Sequence, residues 1–248
     1  MNPIESKRRL AAAAVLVCVI CLWPQAVEAS GKIIGWGSQV VGVDLSSGFT
    51  AVATSWDHSL GLKSDGSIIA WGHNDTGQCN IPSPNTGFAA VTAGRLHSLG
   101  LKSDGSIVAW GYNYYGQCNI PSPNNDFIAV AAGAYHSLGI KEDDSIVAWG
   151  RNDYGQCNVP SPNTDFIAVS AGVFHSLGLK SDGSIVAWGD NYYGQCDVPS
   201  PNTDFIAVSA GVFHSLGLKQ DGSIVAWGDN RYGQINIPSP NPTFALRR

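Results

Sequence analysis

The sequence predicts an all-β protein, a β-propeller of short antiparallel blades with three to four strands each, and three observations carry that prediction. The first is an internal repeat whose tryptophan, phenylalanine and histidine positions return every 39 residues. The second is the composition, because 29 glycines and 13 prolines among 248 residues, without a collagen period, fit many short strands joined by tight turns. The third is that no window shows a sustained helical period. One such sheet cannot bury both of its faces, so we expect the repeats to stack against each other.

The first 29 residues are predicted to be a secretory signal peptide that takes no part in the fold. A basic stretch at 7–9 precedes an uncharged apolar run at 10–23, and small or apolar residues flank a cleavage position after Ala29. The apolar run is too short to span a bilayer, which takes about 20 residues. We therefore expect a mature domain from residue 30 to 248, secreted or periplasmic, with no membrane contact after cleavage.

The mature chain divides into five complete units and a partial sixth. The complete units are placed at 49–87, 88–126, 127–165, 166–204 and 205–243. Residues 31–48 and 244–248 carry strand-like fragments of a partial closing unit whose middle strand is absent. Closure of the ring within one chain is therefore left open, and with it the possibility that chains associate.

Each unit contains the same succession of strand and turn signals. In the unit at 166–204, an apolar run is followed by a strand of alternating pattern, 175–180, and a return strand at 184–188. The intervening Asp182-Gly183 pair predicts a two-residue type I′ hairpin turn, which needs positive φ. Asp144 replaces this glycine in the third unit and should be strained. The Gly-Gln-Cys-Asn-Val segment is the candidate for a fourth, outer strand.

The residues that repeat in every unit are predicted to be structural. A catalytic histidine is needed once, and equivalent positions on neighbouring sheets lie about 10 Å apart, too far to share a metal. We therefore expect the repeated histidines to form buried hydrogen bonds between blades, and the repeated tryptophans to lie in the core. The same spacing excludes disulfides, so four reduced, buried thiols are expected at Cys79, Cys118, Cys157 and Cys196. With no unique catalytic constellation, the sequence predicts no enzyme activity, no cofactor and no metal.

The repeat resembles that of a known protein family. Its pattern is Ala-Gly-x-x-His-Ser-Leu-Gly-Leu-Lys-x-Asp-Gly-Ser-Ile-Val-Ala-Trp-Gly-x-Asn-x-x-Gly-Gln, over about residues 31–248. This is similar to the regulator-of-chromosome-condensation superfamily, and most of all to its short, secreted bacterial type, represented by the propeller-type β-lactamase inhibitory protein. The resemblance implies a propeller, commonly of seven blades, and binding of a protein partner. Five complete units depart from that blade number.

The residues that vary between units collect on one face of the predicted propeller. Antiparallel connectivity puts the Ala-Gly-x-x loop and the loop after Trp-Gly on the same face, where Tyr, Trp and Arg, the types enriched at interaction hot spots, cluster. The candidate partner-binding residues are Trp56, Asp57, Arg95, Tyr112, Tyr114, Tyr115, Tyr135, Arg151, Tyr154, Phe174, Tyr192, Tyr193, Phe213, Arg231 and Tyr232. The alternative is that these rings pack between loops and only stiffen the rim.

Three functions compete. The first is a secreted, non-catalytic binder of one protein partner, favoured because the exposed positions vary from blade to blade. The second is a multivalent lectin for carbohydrate, kept open by the repeated Tyr115, Tyr154, Tyr193 and Tyr232. The third, guanine-nucleotide exchange on a small GTPase, is disfavoured by the signal peptide. A net charge of −5, with no basic stripe beyond the first ten residues, argues against a nucleic-acid partner.

Overall fold

The computed structural model describes residues 48–238, which form fifteen short strands in five three-stranded sheets. The all-β propeller prediction is confirmed. The predicted signal peptide, 1–29, and the fragments at 31–47 and 244–248 lie outside the described residues. From residue 48 to 238 there is no helix, and so none with the length and apolar character needed to cross a bilayer.

The five blades share one strand pattern of six, six and five residues. Blade 1 has β1 Phe49–Thr54, β2 His58–Lys63 and β3 Ile68–Gly72; blade 2 has β4 Phe88–Ala93, β5 His97–Lys102 and β6 Ile107–Gly111; blade 3 has β7 Phe127–Ala132, β8 His136–Lys141 and β9 Ile146–Gly150; blade 4 has β10 Phe166–Ala171, β11 His175–Lys180 and β12 Ile185–Gly189; blade 5 has β13 Phe205–Ala210, β14 His214–Lys219 and β15 Ile224–Gly228. Within each blade consecutive strands pair antiparallel, and a bulge follows the first phenylalanine.

The predicted fourth strand is wrong. In blade 3 the segment from Gly155 to Val159 folds into consecutive turns, with backbone bonds from Gly155 N to Asn152 O (3.1 Å) and from Asn158 N to Gly155 O (2.9 Å). Gly155 has a φ of 78°, which a strand would not tolerate. The backbone donors are therefore used inside the loop and are not available for a fourth ladder.

The hairpin turn also differs from the predicted type I′. Lys102 N bonds Ser106 O at 2.8 Å and Gly105 N bonds Lys102 O at 3.0 Å, and only the glycine has positive φ. This is a three-residue connection, a type I turn followed by a glycine bulge. Asp104 is needed for its carboxylate, because Oδ1 accepts from the backbone N of Ser106 at 3.0 Å and from its Oγ at 2.6 Å. At the glycine position of blade 3, Asp144 does adopt a φ of 63°, as expected.

The hydrophobic core lies between blades. At the junction of blades 2 and 3 the buried cluster contains Leu99, Leu101, Ile107, Phe127, Val130 and Trp149, taken from both sheets. The three other described junctions contain equivalent clusters. Burying such a side chain contributes about 1.5–3 kcal/mol, so each blade depends on its neighbour for stability. The repeated tryptophans lie in this core as predicted, although Trp71 of blade 1 is only half-buried.

A buried hydrogen-bond relay, here called the junction relay, joins each blade to the next. His97 Nε2 lies 3.0 Å from Ser137 Oγ, which donates to Gln117 O at 3.0 Å. Trp149 Nε1 donates to the same carbonyl at 2.9 Å. The pairs His58–Ser98, His136–Ser176 and His175–Ser215 repeat the first contact at 2.9 Å. The predicted structural role of these histidines is confirmed.

The relay fixes the protonation state of its histidines. The hydroxyl proton of Ser137 goes to Gln117 O, so His97 must donate from Nε2, and its Nδ1 is left as a buried acceptor without a partner. Burial lowers the pKa of His97 and His136 to about 3, and that of His58 and His175 to about 4. Neighbouring histidines contribute to the shift in the same direction for His97, His136 and His175. These imidazoles are therefore neutral at physiological pH.

We expect Ser137→Ala to lower the free energy of unfolding by about 2 kcal/mol, because it leaves His97 Nε2 and Gln117 O short of a buried partner. Urea denaturation of the wild type and the variant measures the difference. Ser103→Ala is the matched control, since Ser103 is exposed and makes one bond of 3.2 Å to Gly87 O. Equal stability of the two variants would mean that the relay adds nothing to the junction.

Of the six cysteines in the sequence, the four that lie between residues 48 and 238 are free thiols, but the predicted full burial is wrong, because each is half-buried. They lie on the turn after each blade, where the thiol donates to the carbonyl six residues earlier, as from Cys157 Sγ to Arg151 O at 3.3 Å. Burial raises the pKa of Cys118 and Cys157 to about 11 and that of Cys196 to about 12. Thiols with such pKa values are poor nucleophiles at neutral pH.

Candidate binding face

The two variable loops of each blade lie side by side, as antiparallel connectivity predicts. In blade 2 Tyr112 N donates to Leu96 O at 2.8 Å, and in blade 3 Arg151 N donates to Tyr135 O at 2.9 Å. These bonds join the loop before the second strand to the loop after the third. Both loops therefore present their side chains on one rim of the propeller.

The repeated polar residues of the rim loop are occupied inside it. In blade 2 the Asn113 side chain accepts from Cys118 N and donates to Asn119 Oδ1, both at 2.8 Å. The buried Gln117 accepts from Tyr115 N through Oε1 at 3.0 Å. The same bonds recur in blades 3 and 4. The loop is thus held by its repeated residues, and the variable ones are left to face outward.

The variable residues form a continuous row that we call the aromatic belt, and it begins in blades 1 to 3. The guanidinium carbon of Arg95 lies 4.3 Å from the ring centroid of Trp56 and 5.6 Å from that of Tyr135. Arg95 Nη1 also donates to the Tyr135 hydroxyl at 2.6 Å. The Tyr135 ring then contacts Tyr115 and Tyr112 at centroid distances of 5.4 and 6.3 Å. Cation–π and edge-to-face contacts of this kind add stability beyond simple burial.

Arg151 connects the two halves of the belt. Its guanidinium carbon lies 5.0 Å from the centroid of Tyr115, 5.5 Å from that of Phe174 and 5.8 Å from that of Tyr154. The same guanidinium pairs with Asp153 Oδ2 at 2.7 Å. One arginine therefore stacks on rings of blades 2, 3 and 4.

The belt continues to blade 5. Phe174 contacts Phe213 at 6.0 Å, Phe213 contacts Tyr193 at 5.1 Å, and Arg231 lies 4.3 Å from the Tyr193 centroid. Arg231 also forms a paired contact with the buried Asp229, at 2.9 and 3.0 Å. In all, the belt contains Trp56, Arg95, Tyr112, Tyr114, Tyr115, Tyr135, Arg151, Tyr154, Phe174, Tyr192, Tyr193, Phe213 and Arg231.

Two of the candidate residues stay outside the belt but on the same rim. Tyr232 and Asp57 are exposed on the rim loops of blades 5 and 1. The most exposed aromatic side chains of this face are Tyr232 at 89%, Tyr192 at 81%, Tyr114 at 79%, Trp56 at 58% and Tyr154 at 49%. The remaining members of the belt are half-buried, apart from the exposed Arg231. The rings therefore stack on each other, as the stiffening alternative expects, and still offer a broad aromatic surface to solvent.

Sequence reasoning missed one class of residue on this face. It is the residue that accepts a hydrogen bond from the side-chain amide of the buried glutamine. In blade 1 Gln78 Nε2 lies 2.8 Å from His73 Nδ1, and in blade 4 Gln195 Nε2 donates to Asp190 Oδ2 at 3.0 Å. In blades 2 and 3 the amides of Gln117 and Gln156 are buried without a partner. The sequence signal was the residue five places before each glutamine, which is His73, Tyr112, Arg151, Asp190 or Asp229.

No group of three His, Cys, Asp or Glu side chains comes close enough to hold a metal ion between residues 48 and 238. The chemistry that this face does offer is aromatic stacking, hydrogen-bond donation and charge.

Comparison with solved structures shows the same fold. The CRINKLY WD40 ectodomain of the Arabidopsis thaliana receptor kinase ACR4 is 23% identical, with a TM-score of 0.61 over 73% of this chain and 68% of that chain. The receptor kinase CR4 ectodomain of Physcomitrella patens is 23% identical, with a TM-score of 0.65 over 77% and 54%. Prp20p of Saccharomyces cerevisiae is 22% identical, with a TM-score of 0.67 over 80% and 60%. This chain thus spans little more than half of the last two. No curated protein sequence matches it.

The repeat itself matches a family description. The regulator of chromosome condensation (RCC1) repeat is found five times, at residues 49–78, 88–117, 127–156, 166–195 and 205–234. These matches cover more than half of the chain, and each begins at the first strand of a blade and ends at the buried glutamine or its counterpart Gln234. The chain therefore belongs to the regulator of chromosome condensation (RCC1) repeat family.

Proposed function

We propose that the protein is a non-catalytic, protein-binding propeller of the short, secreted bacterial type, exported to the periplasm or the medium, and that the aromatic belt is its contact surface for one protein partner. The observation that carries the proposal is that repeated and variable side chains have different environments. Repeated side chains are used inside the junctions and the rim loops, whereas the variable ones form a solvent-facing aromatic row across all five blades. Exposed aromatic and arginine side chains of this kind are typical of interaction hot spots.

The family fold is compatible with protein partners. Prp20p was described together with its binding properties to Gsp1p and histones, and yeast RCC1 (Prp20) was solved bound to Kap60. Those partners belong to that protein. Between residues 48 and 238 the side chains that repeat in the rim loops are buried or bonded within those loops, and the exposed ones differ from blade to blade, which favours a single asymmetric partner.

The alternative is carbohydrate binding, once per blade. Its support is the tyrosine repeated at Tyr115, Tyr154, Tyr193 and Tyr232. Equivalent sites should present equivalent surroundings, yet Tyr232 is almost fully exposed while Tyr115 is half-buried under Arg151. The repeated asparagine is bonded within the loop, and the repeated glutamine is fully buried with its carbonyl oxygen bonded, so neither is free to bind sugar hydroxyls at the surface. Exchange-factor activity is the least favoured function, because the predicted export separates the protein from a cytosolic GTPase.

A capture experiment tests the proposal. The protein is expressed from the full-length sequence, its mass is checked against residues 30–248, and it is used as bait for periplasmic and extracellular proteins. We expect one protein to be retained, and retention to fall at least about tenfold, equivalent to about 1.4 kcal/mol, in a Trp56→Ala, Tyr114→Ala, Tyr192→Ala variant. These three side chains are exposed, so their removal should leave the fold intact.

The matched control is a Ser64→Ala, Ser103→Ala, Ser181→Ala variant, which alters exposed residues of the hairpin turns on the opposite face. Free sugars are added in a parallel arm. Retention that survives the belt substitutions but not the control would overturn the proposed face, and retention abolished by sugar would establish the lectin.

A further inference from the structure

The rim of blades 2 and 3 has buried hydrogen-bond donors that the other blades satisfy internally. Gln117 and Gln156 are fully buried, and the Nε2 atom of each has no partner. The corresponding amides contact His73 in blade 1 and Asp190 in blade 4, and Gln234 bonds Asp229 in blade 5. A buried amide donor without a partner is unfavourable, so blades 2 and 3 each have a donor that a ligand oxygen would satisfy.

The residues that replace those acceptors add donors and positive charge. At the position equivalent to Asp190 of blade 4, blade 2 has Tyr112 and blade 3 has Arg151. Arg95 lies beside them, stacked between Trp56 and Tyr135. The only carboxylate on the rim loops of these two blades is Asp153, which already pairs with Arg151. We call this set the donor patch; it consists of Arg95, Tyr112, Gln117, Tyr135, Arg151 and Gln156.

The rest of the rim has the opposite character. Blade 1 presents Asp57 and Asp75, and blade 4 presents Asp190 and Asp197. Arg231 in blade 5 is neutralised by its paired contact with Asp229. Asp153 offsets the charge of Arg151, so Arg95 gives the donor patch a net positive charge between the acidic rim loops of blades 1 and 4. A complementary partner would place a negative group there.

We infer that the donor patch receives an acidic side chain of the protein partner. The inference deepens the proposed function and rests on it. An aspartate or glutamate carboxylate would accept from the Arg95 and Arg151 guanidinium groups, which are only half-buried. A carboxylate oxygen that also reached the fully buried Gln117 amide would satisfy its unpaired Nε2 donor. The partner's oxygens then take the role that the Asp190 and Asp229 carboxylates have in blades 4 and 5.

The test uses a phage-displayed library of random peptides as the probe. We expect the wild-type protein to enrich peptides containing Asp or Glu next to apolar residues. Tyr112→Asp should reduce their recovery by at least about tenfold, because the introduced carboxylate accepts from Gln117 Nε2 and repels an acidic ligand. The variant loses the ring contacts of Tyr112 and gains a bond to the buried amide, so it should keep a single cooperative melting transition, which shows that the loss is not misfolding.

The matched control is Ser103→Asp, which adds the same charge to the exposed hairpin turn of the same blade, on the face opposite the rim, and should keep the selection. Enrichment of neutral or basic peptides, lost in the Trp56→Ala, Tyr114→Ala, Tyr192→Ala variant, would overturn this inference and leave the proposed function standing. Peptides recovered equally by the wild type and that variant would count against both. Acidic peptides that survive Tyr112→Asp would show that the carboxylate binds elsewhere on the rim.

Discussion

Gly133→Ala should destabilise the protein by about 3 kcal/mol, at the upper end of the usual cost of adding one carbon to a packed core. A Cβ at this position would overlap the His136 ring and lie 2.5 Å from Gly172 O of the next blade. Neither neighbour can move away cheaply. His136 is held in the junction relay by Ser176, and Gly172 O accepts a bond from Ala134 N at 3.1 Å.

Urea denaturation of the wild type and the variant measures this loss. Gly87→Ala is the control, because a Cβ there meets no atom within 4 Å and the cost is confined to a backbone φ of 73°, about 1 kcal/mol. The difference between the two variants isolates the steric conflict at the junction. If both lost the same free energy, the close approach of neighbouring blades would not be what requires glycine at position 133.

Acid should unfold the protein steeply, well before the carboxylates are protonated. Burial lowers the pKa of His97 and His136 to about 3 and that of His58 and His175 to about 4, against an ordinary value of 6.5 in the unfolded chain. The unfolded state therefore takes up protons first as the pH falls. Stability is complete above pH 6.5 and is lost as the pH falls from 6.5 towards 4. Each additional proton bound by the unfolded chain changes the free energy of unfolding by about 1.4 kcal/mol per pH unit, so four histidines together give about 5.5 kcal/mol per unit.

Urea denaturation at a series of pH values from about 7.5 to about 4.5 gives the slope of the unfolding free energy against pH directly. His136→Gln keeps an amide donor for Ser176 but removes one titrating group, and should lower the slope by about 1.4 kcal/mol per unit. Ser176→Ala is its counterpart, because it breaks the same bond and keeps the imidazole. It should weaken the protein at neutral pH with an unchanged slope. A flat profile in the wild type would contradict the neutral, buried state of these rings.

Much of the fold was predictable because repetition identifies equivalent positions. A histidine present in every unit could not be a unique catalyst, and the serine after it could not form a triad; both became parts of the junction relay. Repetition does not reveal what a residue contacts. The Asp-Gly pair at Asp104 predicted a type I′ turn. In the structure the Asp104 carboxylate accepts a hydrogen bond from Ser106, and only the glycine that follows has a positive φ. The segment around Cys157 was predicted to be a strand. It is a loop because the Asn152 side chain accepts a hydrogen bond from Cys157 N, a contact that repetition alone does not reveal.

The candidate face was predicted as a collection of residues but not as an arrangement. Counting tyrosines and arginines on two loops does not show that Arg151 stacks on rings of three blades, because that depends on the distance between sheets. The unpaired amides of Gln117 and Gln156 were equally hidden, since a repeated glutamine looks identical in every unit. Only the geometry shows that its acceptor varies.

The identity of the junctions makes this molecule unusually easy to extend by gene duplication. A copied blade carries the same histidine, serine, glutamine and tryptophan, so it fits any existing neighbour without compensating changes. Residues 164–190 and 203–229 differ at a single position, Ser181 against Gln220, which lies on the exposed hairpin turn. Beyond that stretch the rim has already diverged, with Tyr192 in one copy and Arg231 in the other. New blades can therefore enter as structural duplicates and acquire their own binding residues afterwards, without disturbing the core.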